Sequence, residues 1–325
     1  MRHVADRVQA SWTRYWFSPS APYWLAVCRI IVGLQLCNYL RRENPSDPLS
    51  ALGILPTLPG DLWEPVSYVG LLGLSPPTQT GLEIVWTATL VAAVALTLGL
   101  ATRFASIVAA VGGLYLIALP YCYGKINHGF NVLAMMLLIL PFARAGAALS
   151  VDSLVRQARG KPAPGTSSDF NWPVKLVQFS FAFMLLFAGW NKLSVGGADW
   201  VFSDSLRNIL VFQNFVVQAD ESTSAVIDPI IENPWLWKSI AGAVVVSELC
   251  FIAIMFVPRG WQRMALLAVG VGFILSLDVA MQLPNPVLLS LLLVFVDWNW
   301  VAERARPYVQ RLARPVTQVR AGSRP

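Results

Sequence analysis

Histidine is almost missing from this sequence: His3 and His128 are the only two in 325 residues. A multi-histidine metal centre is therefore excluded, and no metal is expected. Cysteine is sparse as well. Cys28, Cys37, Cys122 and Cys250 fall inside or beside apolar blocks and form no C-x-x-C pair, which removes a dithiol redox motif and a zinc knuckle. They read as small apolar packing residues. Charge is scarce too, at 13% of residues against roughly 25% in a soluble domain. Neither a phosphate-cradling G-x-x-x-x-G-K-[ST] segment nor H-E-x-x-H occurs. The polar helical faces that a soluble fold needs are also lacking.

What the sequence has is apolar length. Hydrophobic residues make up 56% of the chain and lie in successive long runs. About twenty such residues are what a helix needs to cross roughly 30 Å of hydrocarbon. The expected fold is all-α, a polytopic integral membrane bundle of about eight transmembrane helices. The spans are placed at Tyr23–Leu40, Glu83–Leu100, Phe104–Tyr121, Gly129–Ala145, Val174–Asn191, Trp235–Val257, Met264–Leu283 and Val287–Trp300. Residues 1–22 form a basic N-terminal segment, 23–302 the transmembrane domain, and 303–325 a basic tail. The first apolar run lacks a convincing small-residue cleavage site and reads as a retained span. Leu62–Leu74 is apolar but too short to cross, and is expected to cap or re-enter the outer surface. Trp200, Trp235, Trp237, Trp298 and Trp300 at span ends read as interfacial anchors.

The net charge of +6 is unevenly spread. With an inward N-terminus, one set of loops carries Arg2, Arg7, Arg14, Arg103, Arg144, Arg156, Arg159, Lys161, Lys175, Arg259 and Arg263, and the tail adds six more arginines. The opposite loops hold most of the acids, including Asp199, Asp204, Asp220, Glu221, Asp228 and Glu232. Positive residues stay on the cytoplasmic side, so both termini are expected there, in a cell inner membrane. The same distribution suits lipid headgroups as partners and gives no reason to expect nucleic acid. Gly112-Gly113 and Gly270-Val271-Gly272 lie within spans, where small residues permit close helix packing.

Ionisable residues inside spans are costly unless partnered, so each is a candidate for function or pairing. Arg29 and Glu248 fall at overlapping depths in the inner half, and the simplest expectation is a structural ion pair between spans one and six. A role in substrate or proton handling is the alternative. Near the outer mouth, His128, Lys192 and Asp278 are expected at one face and depth. A lysine against apolar walls can serve as a base near neutrality. Otherwise Lys192 snorkels to the interface and His128 caps a helix.

Several segments in order resemble the horizontally transferred transmembrane (HTTM) domain superfamily, which includes the vitamin K-dependent γ-glutamyl carboxylase. They are Trp16-Phe17-Ser18-Pro19 with Arg29, Asn127-His128 followed by Leu149-Ser150-Val151-Asp152, Ala188-Gly189-Trp190-Asn191-Lys192-Leu193 before Asp199-Trp200-Val201, and Ser247-Glu248-Leu249. The resemblance covers roughly residues 12 to 300. It implies Lys192 as the catalytic base, with His128 and Asn127 placing a reduced quinone of vitamin K type as cofactor; Asp278, by its position near the outer mouth, is the other candidate beside the cofactor. The resemblance also implies a lyase-type carboxylation of an exported peptide or protein on the outer side. The chain departs from the carboxylases in two ways. It ends soon after Trp300, without their large extramembrane portion, and Asp278 stands where many members carry a histidine. Compact bacterial relatives that mature exported peptides are the nearer likeness in architecture. The alternative is a non-catalytic membrane partner in peptide maturation or export. A transporter is disfavoured, because repeated halves with matching broken helices are not visible.

Overall fold

Residues 2–124, 128–217, 224–258, 260–281 and 286–312 are described by the computed structural model. Among them there is no strand, only one antiparallel bridge between Ser20 and Ser167. The principal helices are α1 (Arg2–Phe17), α2 (Tyr23–Arg42), α3 (Gln79–Leu98), α4 (Thr102–Ala118), α5 (Asn131–Ile139), α6 (Val151–Ala158), α7 (Trp172–Gly196), α8 (Pro234–Cys250), α9 (Trp261–Met281), α10 (Pro286–Leu291) and α11 (Trp298–Leu312).

Among the described residues, six helical stretches are long and apolar enough to cross a membrane: Tyr23–Arg42, Gln79–Leu98, Thr102–Tyr123, Ser168–Gly196, Pro234–Met255 and Trp261–Ala280. The expected fourth and eighth spans are shorter. Pro141 lies in the 3-10 turn Leu140–Phe142 that closes α5, leaving the apolar stretch Asn131–Phe142. The eighth begins at Pro286 and passes through the 3-10 turn Leu292–Phe295 before Asp297 interrupts it. Proline lacks the amide hydrogen that continues a helix, and a turn of 3-10 frees carbonyls that lipid cannot satisfy. Protein donors take them up. Trp24 Nε1 donates to the Val294 carbonyl at 2.8 Å, Gln178 Nε2 to the same oxygen at 2.7 Å, and Arg263 Nη2 to the Phe295 carbonyl at 3.2 Å. The broken eighth segment is therefore held inside the bundle, where the fully buried rings of Phe181, Phe251 and Phe295 meet at 5.4–5.8 Å.

Close packing follows the small residues in part. A Cβ on Gly112 would stand 1.9 Å from Thr89 Oγ1, and one on Gly270 would stand 2.6 Å from the Phe251 ring. The Thr89 hydroxyl is satisfied by the Val85 carbonyl of its own helix at 2.7 Å, so α3 and α4 meet without an open polar group. Gly272 has nothing within 4 Å of its would-be Cβ, so the packing expected there is not made. Only 11% of the apolar window of α9 is buried, which makes it the most lipid-facing of the six. Leu62–Leu74 forms no span: the short helix Ser67–Leu71 lies against the end of α4, with the Tyr68 hydroxyl donating to the Leu114 carbonyl. Cys28 and Cys122 are buried as expected, whereas Cys250 is exposed.

The basic segments meet at one end. Asn171 Nδ2 donates to the carbonyls of Tyr15 and Trp16 at 3.0 Å each, Arg144 pairs with Asp169 at 3.0 Å, and the Tyr15 hydroxyl reaches the Met255 carbonyl at 3.3 Å. The tail begins as helix, since α11 carries residues 303–312, and the remainder lies outside the described residues.

Candidate functional site: a lysine–glutamate pair between two membrane helices

Lys192 stands four residues before the end of α7, a helix of 25 residues. At about 1.5 Å per residue α7 runs roughly 37 Å, more than the hydrocarbon core requires. Helix α8 packs beside it in the opposite direction. The Phe181 ring meets Phe251, while further along α7 a Cβ on Gly189 would stand 3.0 Å from Glu248 Cβ and 3.1 Å from Leu249 Cγ. Only glycine lets the backbones approach this closely.

Side chains tilt toward the N-terminus of their own helix. In an antiparallel pair Lys192 therefore leans back along α7 while Glu248 leans forward to meet it. Lys192 Nζ donates to Glu248 Oε1 at 2.7 Å and to Oε2 at 2.8 Å. The glutamate side chain is 4% exposed and the lysine side chain 25%, so the carboxylate is sealed while the amine keeps an open side. Over the amine lies the Trp200 ring, centroid 5.3 Å from Nζ, carried by the short helix Asp199–Phe202. A charge-assisted pair between helices, roofed by an indole face, is strongly held in a medium of low dielectric.

This corrects the expected Arg29–Glu248 ion pair. Arg29 is fully buried, but its guanidinium serves backbone: Nη1 donates to the carbonyls of Leu96 at 2.8 Å and Thr97 at 3.2 Å, and Nη2 to that of Leu149 at 2.5 Å. The cation thus sits on carbonyls of the last turn of α3, where the helix dipole favours it. Asp152 completes the same clasp from the other side. Its oxygens accept from the amides of Ala101 at 2.9 Å and Thr102 at 2.8 Å, the start of α4. Burial alone would push this carboxyl up, but the bonds from Thr102 and Ala101 and the charge of Arg29 outweigh it and hold it below its ordinary value. Arg29 and Asp152, both within the segments of family likeness, hold the α3–α4 turn. Depth counting missed the lysine–glutamate pair because it measured Glu248 from its span end and ignored the tilt of both side chains.

The remaining site residues are less gathered. His128 opens the 3-10 turn His128–Phe130, and its side chain lies outside the described residues, as do Asn127 and Lys125. Asp278 is exposed near the end of α9 and takes no part in the Lys192–Glu248 pair. Of the tryptophans, Trp235 is 82% exposed, as an interfacial anchor would be. Trp237 is buried in a satellite core with Leu206, Leu210, Ile227 and Ala241, so it packs rather than anchors.

A cavity of about 720 Å³ opens at the basic end, between Ala21–Tyr23, Leu98, the Ala147–Leu154 segment, Ala163–Thr166 and the face of α11 bearing Glu303 and Arg306. It is distinct from the lysine–glutamate pair: Thr166 borders it ahead of α7, and Lys192 lies twenty residues into α7, roughly 30 Å along the axis.

No curated protein and no solved structure matches the chain. The HTTM domain family does, over residues 17–300, a stretch that contains the Arg29–Asp152 clasp, the six long apolar helices and the Lys192–Glu248 pair. With most of its length matched, this membrane protein belongs to the HTTM domain family.

Proposed function

We propose that the chain is a carboxylase-like membrane enzyme in which Lys192 takes a proton from the hydroxyl of a quinol-type cofactor. Glu248 is its proton partner, and an exported peptide is the substrate. The observation that carries this is the Lys192–Glu248 pair itself, an amine with one open side fastened to a sealed carboxylate under an indole ring.

The donor set fits a flat, weakly acidic ring: one basic nitrogen accessible beside the aromatic face of Trp200. When bound, a reduced quinone supplies the acidic hydroxyl and the electrons for O2. The chain's own part is proton handling. At rest the pair shares one transferable proton and carries no net charge. When that proton sits on Glu248, Lys192 presents a neutral amine with a free lone pair. Accepting a substrate proton then leaves an ammonium beside a carboxylic acid, with two protons held and a net charge of +1. Glu248 keeps the amine in place throughout, and Trp200 stabilises the cation that forms. Positioning roles for His128 and Asn127 rest on the family resemblance; Asp278, at the exposed end of α9, would meet the polar part of a substrate. The basic end fits a cytoplasmic face in a bacterial inner membrane, with both termini inside and Lys192 toward the outer side.

The bidentate geometry also favours a second function, a lock between α7 and α8 in a non-catalytic maturation partner. The test is quinol oxidation and CO2 fixation into peptide by purified protein in nanodiscs. Lys192→Ala is expected to abolish both, with partial return on adding a small primary amine. The double replacement Lys192→Met/Glu248→Leu, which keeps the helices packed, is expected to be inactive as well. Undiminished activity in the double variant would leave only the lock.

A further inference from the structure

The cavity at the basic end has a built polarity that the lysine–glutamate pair does not use. Its floor is formed by buried residues, Ala147, Ala148, Ser150 and Ser153 among them. The two serine hydroxyls there are spent: Ser150 Oγ donates to the Gly146 carbonyl at 2.7 Å and Ser153 Oγ to the Ser150 carbonyl at 2.7 Å. The floor consequently behaves as an apolar surface, and a charged group placed on it would be desolvated without a partner. The rim is different. Glu303 and Arg306 line it, both exposed, three residues apart on α11 and so neighbours on one face.

The cavity's place in the membrane is given by the elements it borders. Tyr23 begins one membrane-length helix and Leu98 ends another, so the floor lies where hydrocarbon starts and the rim at headgroup level. Beside it, α6 turns Leu154 and Val155 outward, 64% and 41% exposed, with Arg156 and Arg159 following, as a helix lying in the interface does.

We propose that this cavity seats one phospholipid with a zwitterionic, primary-amine headgroup. Its phosphate lies against Arg306, its ammonium against Glu303, and the first carbons of its chains over Leu98 and Leu154. The rim offers one cation and one anion, which match the two charges of a phosphoethanolamine group. A purely anionic headgroup would leave Glu303 facing a like charge, and a choline ammonium has no N–H to donate to it. The volume is that of a small-molecule site and holds a headgroup with the start of its chains.

The experiment is native mass spectrometry of the full chain released from nanodiscs of equal phosphatidylethanolamine, phosphatidylglycerol and phosphatidylcholine. One retained phosphatidylethanolamine is expected. Arg306→Gln should lower retention of all three by about fivefold, the worth of one surface cation. Glu303→Gln should remove only the preference for the amine headgroup. Ala163→Trp, at an exposed rim position that tolerates bulk, should empty the site, while Arg159→Gln, outside the cavity, should change nothing. Equal retention of the three lipids, or a preference unmoved by Glu303→Gln, would overturn the proposal. So would displacement by soluble phosphoethanolamine, which would assign the site to a soluble zwitterion.

Discussion

Truncating Lys192 to alanine strips the Glu248 carboxylate, 4% exposed, of its ammonium. Breaking one side of a buried pair costs about 3–5 kcal/mol, because the surviving charge is stranded. Lys192→Met and Glu248→Leu are each expected to lower the unfolding temperature in detergent, while Lys192→Met/Glu248→Leu together recover most of the loss. Thermal unfolding of the four proteins measures this, and simply additive losses would mean the pair is not coupled. Glu248 was visible in the sequence as a charge that lipid does not tolerate, and Lys192 as a candidate base at the outer mouth. Their partnership was not, because it depends on helix direction and on Gly189 letting α8 approach, and neither can be counted along one span.

At the scale of elements, the α3–α4 turn is the part most tightly specified. Gly99 has φ +69°, and a Cβ there would stand 2.2 Å from Arg29 Nη1. Gly99→Ala is therefore expected to cost at least about 1–2 kcal/mol for the left-handed backbone alone, and more for displacing the guanidinium. The unfolding temperature is again the measurement, with Gly73→Ala, also at positive φ but in open space, as the comparison. The clasp also carries a pH signature. Asp152 has a folded-state value lowered below 3.8, so its stabilisation is complete above that pH and is lost as pH falls through the folded value. Asp152→Asn should lower stability at neutral pH and flatten the acid limb of the unfolding curve below pH 3.8. An unchanged acid limb would remove Asp152 from the clasp. The sequence marked Arg29 and Ser150-Val151-Asp152 as family features. Their shared task, on carbonyls and amides of one turn, involves backbone groups that no side-chain pattern reveals.

For the whole molecule the expected outcome concerns sidedness. Between Arg159 and Asp199 the one membrane-length helix is α7. Single cysteines at these positions, in a background with Cys28, Cys37, Cys122 and Cys250 replaced, should label from opposite sides of sealed vesicles. The cysteine at 159 should lie with the termini. Labelling from the same side would mean that α7 does not cross. The count of about eight crossings drew on runs of apolar residues, and six helices among the described residues meet the length. The segments at Asn131–Phe142 and Pro286–Phe295 have the composition of spans, but proline and 3-10 turns shorten them, and donors from α2, α7 and α9 satisfy the carbonyls of the second.

The class of solvent, the all-helical build and the family can be read along the chain. Each follows from local quantities: apolar length sufficient for hydrocarbon, the lack of polar helical faces, and motifs in order. Which buried charges meet depends on the packed bundle. It gave Lys192 to Glu248 and Arg29 to the end of α3, and it opened a cavity at the basic end. The physical reason is that a buried charge takes the nearest geometry that satisfies it. In a bundle, helix crossing and side-chain tilt set that geometry rather than depth along a single span.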